Sequence, residues 1–252
     1  MTKAALLVGI NEYEDGSDLR GCCNDVDRMY GVLRDIYGYQ QNEIIMLKDK
    51  MASRDAILEQ LYKLVGKLED DDVGFFHFSG HGSQVADQDG DEADHLDELI
   101  CPHDFNWSKK LYITDDDLAN IFAGISNGAW IEVILDSCFS GTATRSRWPI
   151  MSKGKNRTIV SHHAGLKVPV RRMARAVEHV GNHILWSGCA ENQTSADAYI
   201  NGDFNGAFTY YWAHALRKNK NRSRHKLLEK VREDLASRGY DQVPQLEISS
   251  GE

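Results

Sequence analysis

Two segments of the chain end an apolar run in small residues around one reactive side chain. In the first, Ile131-Glu132-Val133-Ile134-Leu135 leads into Asp136-Ser137-Cys138-Phe139-Ser140-Gly141. Four of the five residues in that run are β-branched or Leu, the composition of a strand buried on both faces. A thiol at the carboxyl end of such a strand stands at the edge where open α/β sheets take their ligands, so Cys138 is a candidate nucleophile. A cysteine that only packs is the commoner case, but packing requires neither Asp136 two residues before nor the Ser140-Gly141 turn after.

The second segment is Val73-Gly74-Phe75-Phe76-His77-Phe78-Ser79-Gly80-His81-Gly82-Ser83-Gln84. His81, between two glycines that let a substrate approach, is a candidate general base and acid, and the Gly82 N–H is a candidate oxyanion donor. His77 lies inside the strand and reads as a core or sheet-face residue. The His77 and His81 pair lacks the following Glu and the helix of a zincin metal site. Asp136 precedes Cys138 by two residues on one strand and so points to the same side. A carboxylate there selects a cation, best of all the forked guanidinium of Arg.

Positioning these groups takes a sheet with helices to close it. Residues 4–10, 43–47, 73–78, 131–135, 183–186 and 245–248 read as strands, with a short strand at 99–100 and a hairpin or edge element at 107–113. Asn24 or Asp25 is a cap for a helix to near Tyr37, ended by Gly38. Ser53 caps a helix with Ile57, Leu58, Leu61, Leu64 and Val65 on its apolar side, and Thr114 begins a capping signal for a helix over 115–122. Further helices are expected over 206–218 and 224–238. Strand and helix in alternation imply a mostly parallel central sheet flanked by helices on both faces, an α/β fold. After Gly141 the periodicity is lost until about Ala176, the mark of a functional or unstructured linker.

Composition narrows the function classes. The net charge is −9, but residues 143–177 hold nine Lys or Arg and no acidic residue, leaving 20 basic against 38 acidic residues elsewhere, a balance of −18. An acidic body argues against nucleic acid as partner and for cationic ligands. No apolar run approaches a bilayer span and no leader is evident, so no membrane partner and a cytoplasmic location are expected. Five cysteines without paired spacing give no disulfide framework. No Gly-x-Gly-x-x-Gly follows the first strand and no Gly-x-Ser-x-Gly is present, which removes the dinucleotide-binding and serine-hydrolase readings.

The boxes around His81 and Cys138 resemble those of caspase-like cysteine peptidases of the metacaspase and bacterial orthocaspase branch. Gly21-Cys22-Cys23-Asn24-Asp25-Val26, Trp186-Ser187-Gly188-Cys189-Ala190 with Gln193-Thr194-Ser195-Ala196-Asp197, and Gln242-Val243-Pro244-Gln245 fit the same branch in the same order. The resemblance implies a caspase-like (caspase-hemoglobinase) fold divided into a large-subunit part (1–142), a basic, processed linker (143–177) and a small-subunit part (178–252), together one catalytic domain. It implies a Cys138–His81 dyad acting through an acyl-enzyme, with the oxyanion on the amides of Gly82 and Cys138. The positions of Cys22, Asp25, Ser79 and Asp136 line the family's pocket for Arg or Lys, although a helix cap is a second reading of Asp25. The box Gln-Ala-Cys-Arg-Gly, tied to cleavage after Asp, is absent.

Arg145, Arg147, Lys153, Lys155, Arg157, Arg171, Arg172 and Arg175 fall where family members are cut on activation, which suggests self-processing; a solvated basic loop is the plainer reading. No cofactor is expected in the bond chemistry. Calcium-dependent members bind the ion through scattered aspartates, matched here by Asp97, Asp115 and Asp116, but the family's further Asp downstream of the catalytic Cys is replaced near Arg145; solvated acidic surface is the alternative. Protein or peptide substrates with exposed Arg or Lys, and a monomer, are the family's expectation. Two rival functions remain, a catalytically silent interaction module on the same fold and a cysteine hydrolase with non-peptide substrates.

Overall fold

In the computed structural model the described residues are 1–86, 96–137, 154–156, 176–177, 180–190, 193 and 195–249. The chain opens with β1 (Lys3–Gly9), α1 (Cys22–Asp35), β2 (Ile44–Lys48), α2 (Arg54–Val65) and β3 (Val73–Ser79). The strands β4 (Gly82–Ala86), β5 (Leu96–Ile100) and β6 (Ile113–Thr114) follow, then α3 (Asp115–Phe122) and β7 (Trp130–Asp136). The remainder is β8 (Gly154–Asn156), β9 (His183–Ser187), β10 (Ala196–Ile200), β11 (Asp203–Gly206), α4 (Ala207–Lys218), α5 (Arg224–Ser237) and β12 (Gln245–Ile248).

The central sheet has the order β12-β9-β7-β3-β1-β2. Every neighbouring pair is parallel except β12 with β9. Parallel strands covered on both sides lose the apolar–polar alternation, and this explains why β1, β3 and β7 read as continuous apolar runs. One face packs on α2 and α3 through Ile57, Leu61, Leu118 and Phe122; the other packs on α1, α4 and α5 through Val26, Met29, Phe208, Trp212 and Val231. The layers expected from the sequence are therefore present. Among the described residues no helix is long and apolar enough to cross a membrane.

Strand order fixes where a site can form. From β1 the chain crosses to β2 on one side, whereas from β3 it crosses to β7 on the other. Connections leaving adjacent parallel strands in opposite directions open a crevice at their carboxyl ends, the usual ligand position in such sheets. The loop after β1 and the His81 turn after β3 both lie at that crevice.

Several local expectations are corrected. The helix cap is Gly21, not Asn24 or Asp25. The first-turn amides of Cys22 and Cys23 are instead satisfied from outside by Asn11 Oδ1, at 2.8 and 3.4 Å, so no cap is needed within the helix. Helix α1 stops at Asp35, ahead of Gly38 in the left-handed region. The hairpin or edge element expected over 107–113 is present in reduced form: residues 107–110 turn beneath an antiparallel bridge between Asn106 and Leu111, and Ile113 opens β6, the edge strand beside β5. The linker is not devoid of structure, since Gly154–Asn156 pairs antiparallel with β10, itself hydrogen-bonded to β11. The β10–β11 hairpin was not anticipated, although Asn201-Gly202 is the favoured two-residue hairpin turn and both residues have positive φ (54° and 92°).

Candidate active site

The site begins with strand register. Ser79 at the end of β3 pairs with Asp136 at the end of β7, one strand spacing of about 4.8 Å apart. His81 follows two residues after Ser79. Cys138 stands two residues after Asp136 in the sequence but lies outside the described residues, as do Arg145, Arg147, Lys153, Arg157, Arg171, Arg172 and Arg175 and the side chain of Lys155. The last described residue before Cys138, Ser137, is buried.

His81 is buried in the turn between β3 and β4. Its Nε2 lies 2.6 Å from the Ser17 carbonyl. A carbonyl only accepts, so Nε2 carries the proton and Nδ1 of the neutral ring carries the lone pair. The Cys101 N–H donates to the His81 carbonyl at 3.0 Å. That bond makes Gly82 and Ile100 a non-hydrogen-bonded pair of the β4–β5 ladder, so the Gly82 N–H points away from β5, as an oxyanion donor must.

The carboxylates predicted to line a pocket are brought together by the N-terminus of α4. Asp136 accepts from the Thr209 N–H and hydroxyl at 2.9 and 2.7 Å and from the Ser195 hydroxyl at 2.5 Å. Asp25 accepts from the Ser79 hydroxyl at 2.6 Å and from the Gly206 N–H at 2.9 and 3.0 Å. Gly206 is the N-cap of α4 and Thr209 lies in its first turn, so the positive end of the helix dipole faces two carboxylates buried completely from solvent. The helix-cap reading of Asp25 is thereby replaced by a bridge between β3 and α4. Cys22 is buried in the first turn of α1, its carbonyl beneath Gly9, where a Cβ would come within 2.5 Å of it.

Sequence reasoning assigned no role to several residues that build this region. Ser195 and Thr209 orient Asp136. His77 Nε2 lies 3.4 Å from Thr209 Oγ1 and donates to it, since the hydroxyl proton is directed at Asp136. Gln242 donates to the Gly188 carbonyl and to Ser195 Oγ at 2.8 and 3.1 Å and accepts from the Ala196 N–H at 3.0 Å. A third buried carboxylate, Asp197, accepts from the N–H groups of Arg20 and Gly21 at 2.9 and 2.8 Å and so holds the start of α1. Ser195, Asp197 and Gln242 occur in the family-like segments, which was their one signal; Thr209 had none, because its partner is 73 residues away.

Other thiols are poorly suited to nucleophilic work. Burial and the Asp49 carboxylate push the Cys23 thiol up to about 12, and burial holds Cys101 well above the ordinary range. Cys189 is buried and donates to the Ser137 carbonyl at 3.5 Å. Asp97 on β5 and Asp115 and Asp116 at the start of α3 are carried by neighbouring elements, and Asp97 and Asp115 are buried. Among the described residues no three His, Cys, Asp or Glu side chains form a group suited to hold a metal ion.

A mostly parallel six-stranded sheet, with the histidine turn and two buried carboxylates at its switch-point edge, defines a caspase-like fold. A crystal structure of a Geobacter sulfurreducens protein superposes with a TM-score of 0.74 over 99% of this chain and 94% of that one, at 22% identity. The metacaspase, peptidase C14 domain model matches residues 3–146. Metacaspase-1A of Aspergillus terreus is 33% identical over 98% of this chain and 70% of its own length, and Metacaspase-1 of Pyricularia oryzae is 32% identical over 98% and 72%. The chain belongs to the metacaspase family, the C14 cysteine peptidases.

Proposed function

We propose that the chain is an endopeptidase cleaving after Arg, and second after Lys, by means of a Cys138–His81 dyad. The observation that carries the specificity is the pair of buried carboxylates, Asp25 and Asp136, at the sheet edge that also bears His81. A buried negative site favours a forked guanidinium over an ammonium and rejects an acidic side chain. In the proposed chemistry His81 Nδ1 takes the Cys138 proton, and the thiolate attacks the scissile carbonyl carbon. The oxyanion rests on the N–H groups of Gly82 and Cys138; loss of one such donor costs about 2.7–4 kcal/mol in other hydrolases. His81 then protonates the departing amine, and water hydrolyses the thioester. The bond chemistry uses no cofactor.

Self-processing within residues 143–177 belongs to the same proposal. Its support is that the backbone of Lys155 pairs with Asp197 on β10, two residues beyond Ser195, whose hydroxyl donates to Asp136. The test is hydrolysis of fluorogenic peptides with Arg, Lys or Asp before the reporter, by wild type, Cys138→Ala and His81→Ala, with and without calcium. Arg turnover lost in both variants is expected. Equal turnover of Asp peptides would sink the pocket assignment, and inertness toward all peptides in every condition would favour an interaction module. The calcium arm reads whether Asp97, Asp115 and Asp116 serve an activating ion.

A further inference from the structure

We infer that Tyr13 is a positioning residue for His81, an inference that rests on His81 acting as the base and acid of the proposed dyad. Tyr13 is buried in the loop between β1 and α1. Its hydroxyl accepts the main-chain N–H of His81 at 2.8 Å and donates to the Cys101 carbonyl at 3.4 Å. Cys101 in turn donates its N–H to the His81 carbonyl. The main chain of His81 is thus held at both its N–H and its carbonyl, and Tyr13 closes the ring of bonds. The phenol also lies against the imidazole, with ring centroids 4.8 Å apart and planes inclined by 51°.

The same loop supplies Ser17, whose carbonyl takes the Nε2 proton. Two groups four residues apart therefore set the backbone, ring face and tautomer of one histidine. The loop is itself tied down. Asp18 Oδ1 accepts the Tyr13 N–H at 2.9 Å, the Leu19 N–H donates to the Asn11 carbonyl at 2.8 Å, and Asp49 Oδ1 accepts the N–H groups of Asn11 and Glu12 at 2.7 and 3.0 Å. Glycine at position 80 is part of the device, because a Cβ there would come within 2.7 Å of the Tyr13 hydroxyl. Only a residue without a side chain lets the phenol reach the peptide of His81.

Proton transfer needs the imidazole within hydrogen-bond reach, and a displacement of about 1 Å can cost about 100-fold in rate. A positioning role therefore predicts a loss in kcat with binding preserved. The test is steady-state hydrolysis of the best Arg peptide by wild type, Tyr13→Phe, Tyr13→Leu, Asp18→Ala and His81→Ala, with melting temperature recorded for each. Tyr13→Phe is expected to lower kcat about tenfold and Tyr13→Leu about 100-fold, with KM within about twofold. Asp18→Ala, at a side chain that touches Tyr13 and not His81's hydrogen bonds described above, is expected to lower kcat by a smaller factor of about three.

A folded Tyr13→Phe enzyme with unchanged kcat, or one whose loss lies in KM, overturns the inference. Should Tyr13→Phe fail to fold, Asp18→Ala decides: a fall in kcat at constant KM supports it and wild-type kinetics refutes it. A His81→Ala enzyme as active as wild type overturns the dyad and this inference together, whereas an inactive His81→Ala beside an unaffected Tyr13→Phe overturns this inference alone.

Discussion

Replacing Asp136 by Asn separates the charge of the pocket from its shape. The Asn carbonyl can accept from the Thr209 N–H and hydroxyl, which now converge on Asp136 Oδ2, and the Asn amide can donate to Ser195 Oγ in place of Oδ1. Ser195 then loses the acceptor for its own proton, a cost of about 1 kcal/mol in stability that leaves the fold intact. What disappears is one full negative charge, completely buried, so solvent screening does not soften the loss. Removing one partner of a buried, hydrogen-bonded charge pair costs about 2–5 kcal/mol, or about 30- to 5,000-fold in kcat/KM. The assay compares matched peptides carrying Arg or its neutral isostere citrulline before the scissile bond. The Arg to citrulline ratio of kcat/KM is expected to fall by about 30-fold or more while the citrulline rate changes only a few-fold. An equal fall for both peptides would refute the reasoning, because Asp136 would then support the site without meeting the substrate's charge.

Intact mass measured after expression should show wild type as two fragments, with the new carboxyl terminus at an Arg or Lys in 143–177, and Cys138→Ala as one chain; two fragments in both, or in neither, count against self-processing. His183 predicts a pH dependence of stability. Burial opposes its charge, but the Glu247 carboxylate and the Val180 carbonyl outweigh burial and raise its pKa above 6.5. The sign follows: this contribution is fully present below the unfolded value of 6.5 and is lost as pH rises through the folded value. Wild-type melting temperature should therefore fall more steeply than that of His183→Gln between about pH 6 and 8, and superimposable profiles would remove His183 from the account.

Much of the fold was legible because buried parallel strands announce themselves as apolar runs and helices carry their own start signals. The capping of α2 by Ser53 and of α3 by Thr114 is as the residues predict. Expectation failed where the satisfying group comes from far along the chain. Asn11 accepts the first amides of α1 from across a loop, and no local pattern in 21–25 reveals it. The edge strand β8 escaped notice for a related reason: a three-residue strand has no periodicity of its own and exists only through pairing with β10.

The sequence by itself determined the class of chemistry, since reactive residues at the ends of apolar runs among small neighbours are a local feature of composition. It also determined the order of the six central-sheet strands along the chain and the acidic character of the body. Only the tertiary structure decided the order of strands across the sheet, and with it the convergence of β1, β3, β7 and α4 on one edge. It alone revealed that Asp25 and Asp136 share the first turn of α4, and that Tyr13 and Ser17 grip the two ends of His81. Hydrogen bonds between residues tens of positions apart depend on where the chain returns, and that is set by the packing of the whole core.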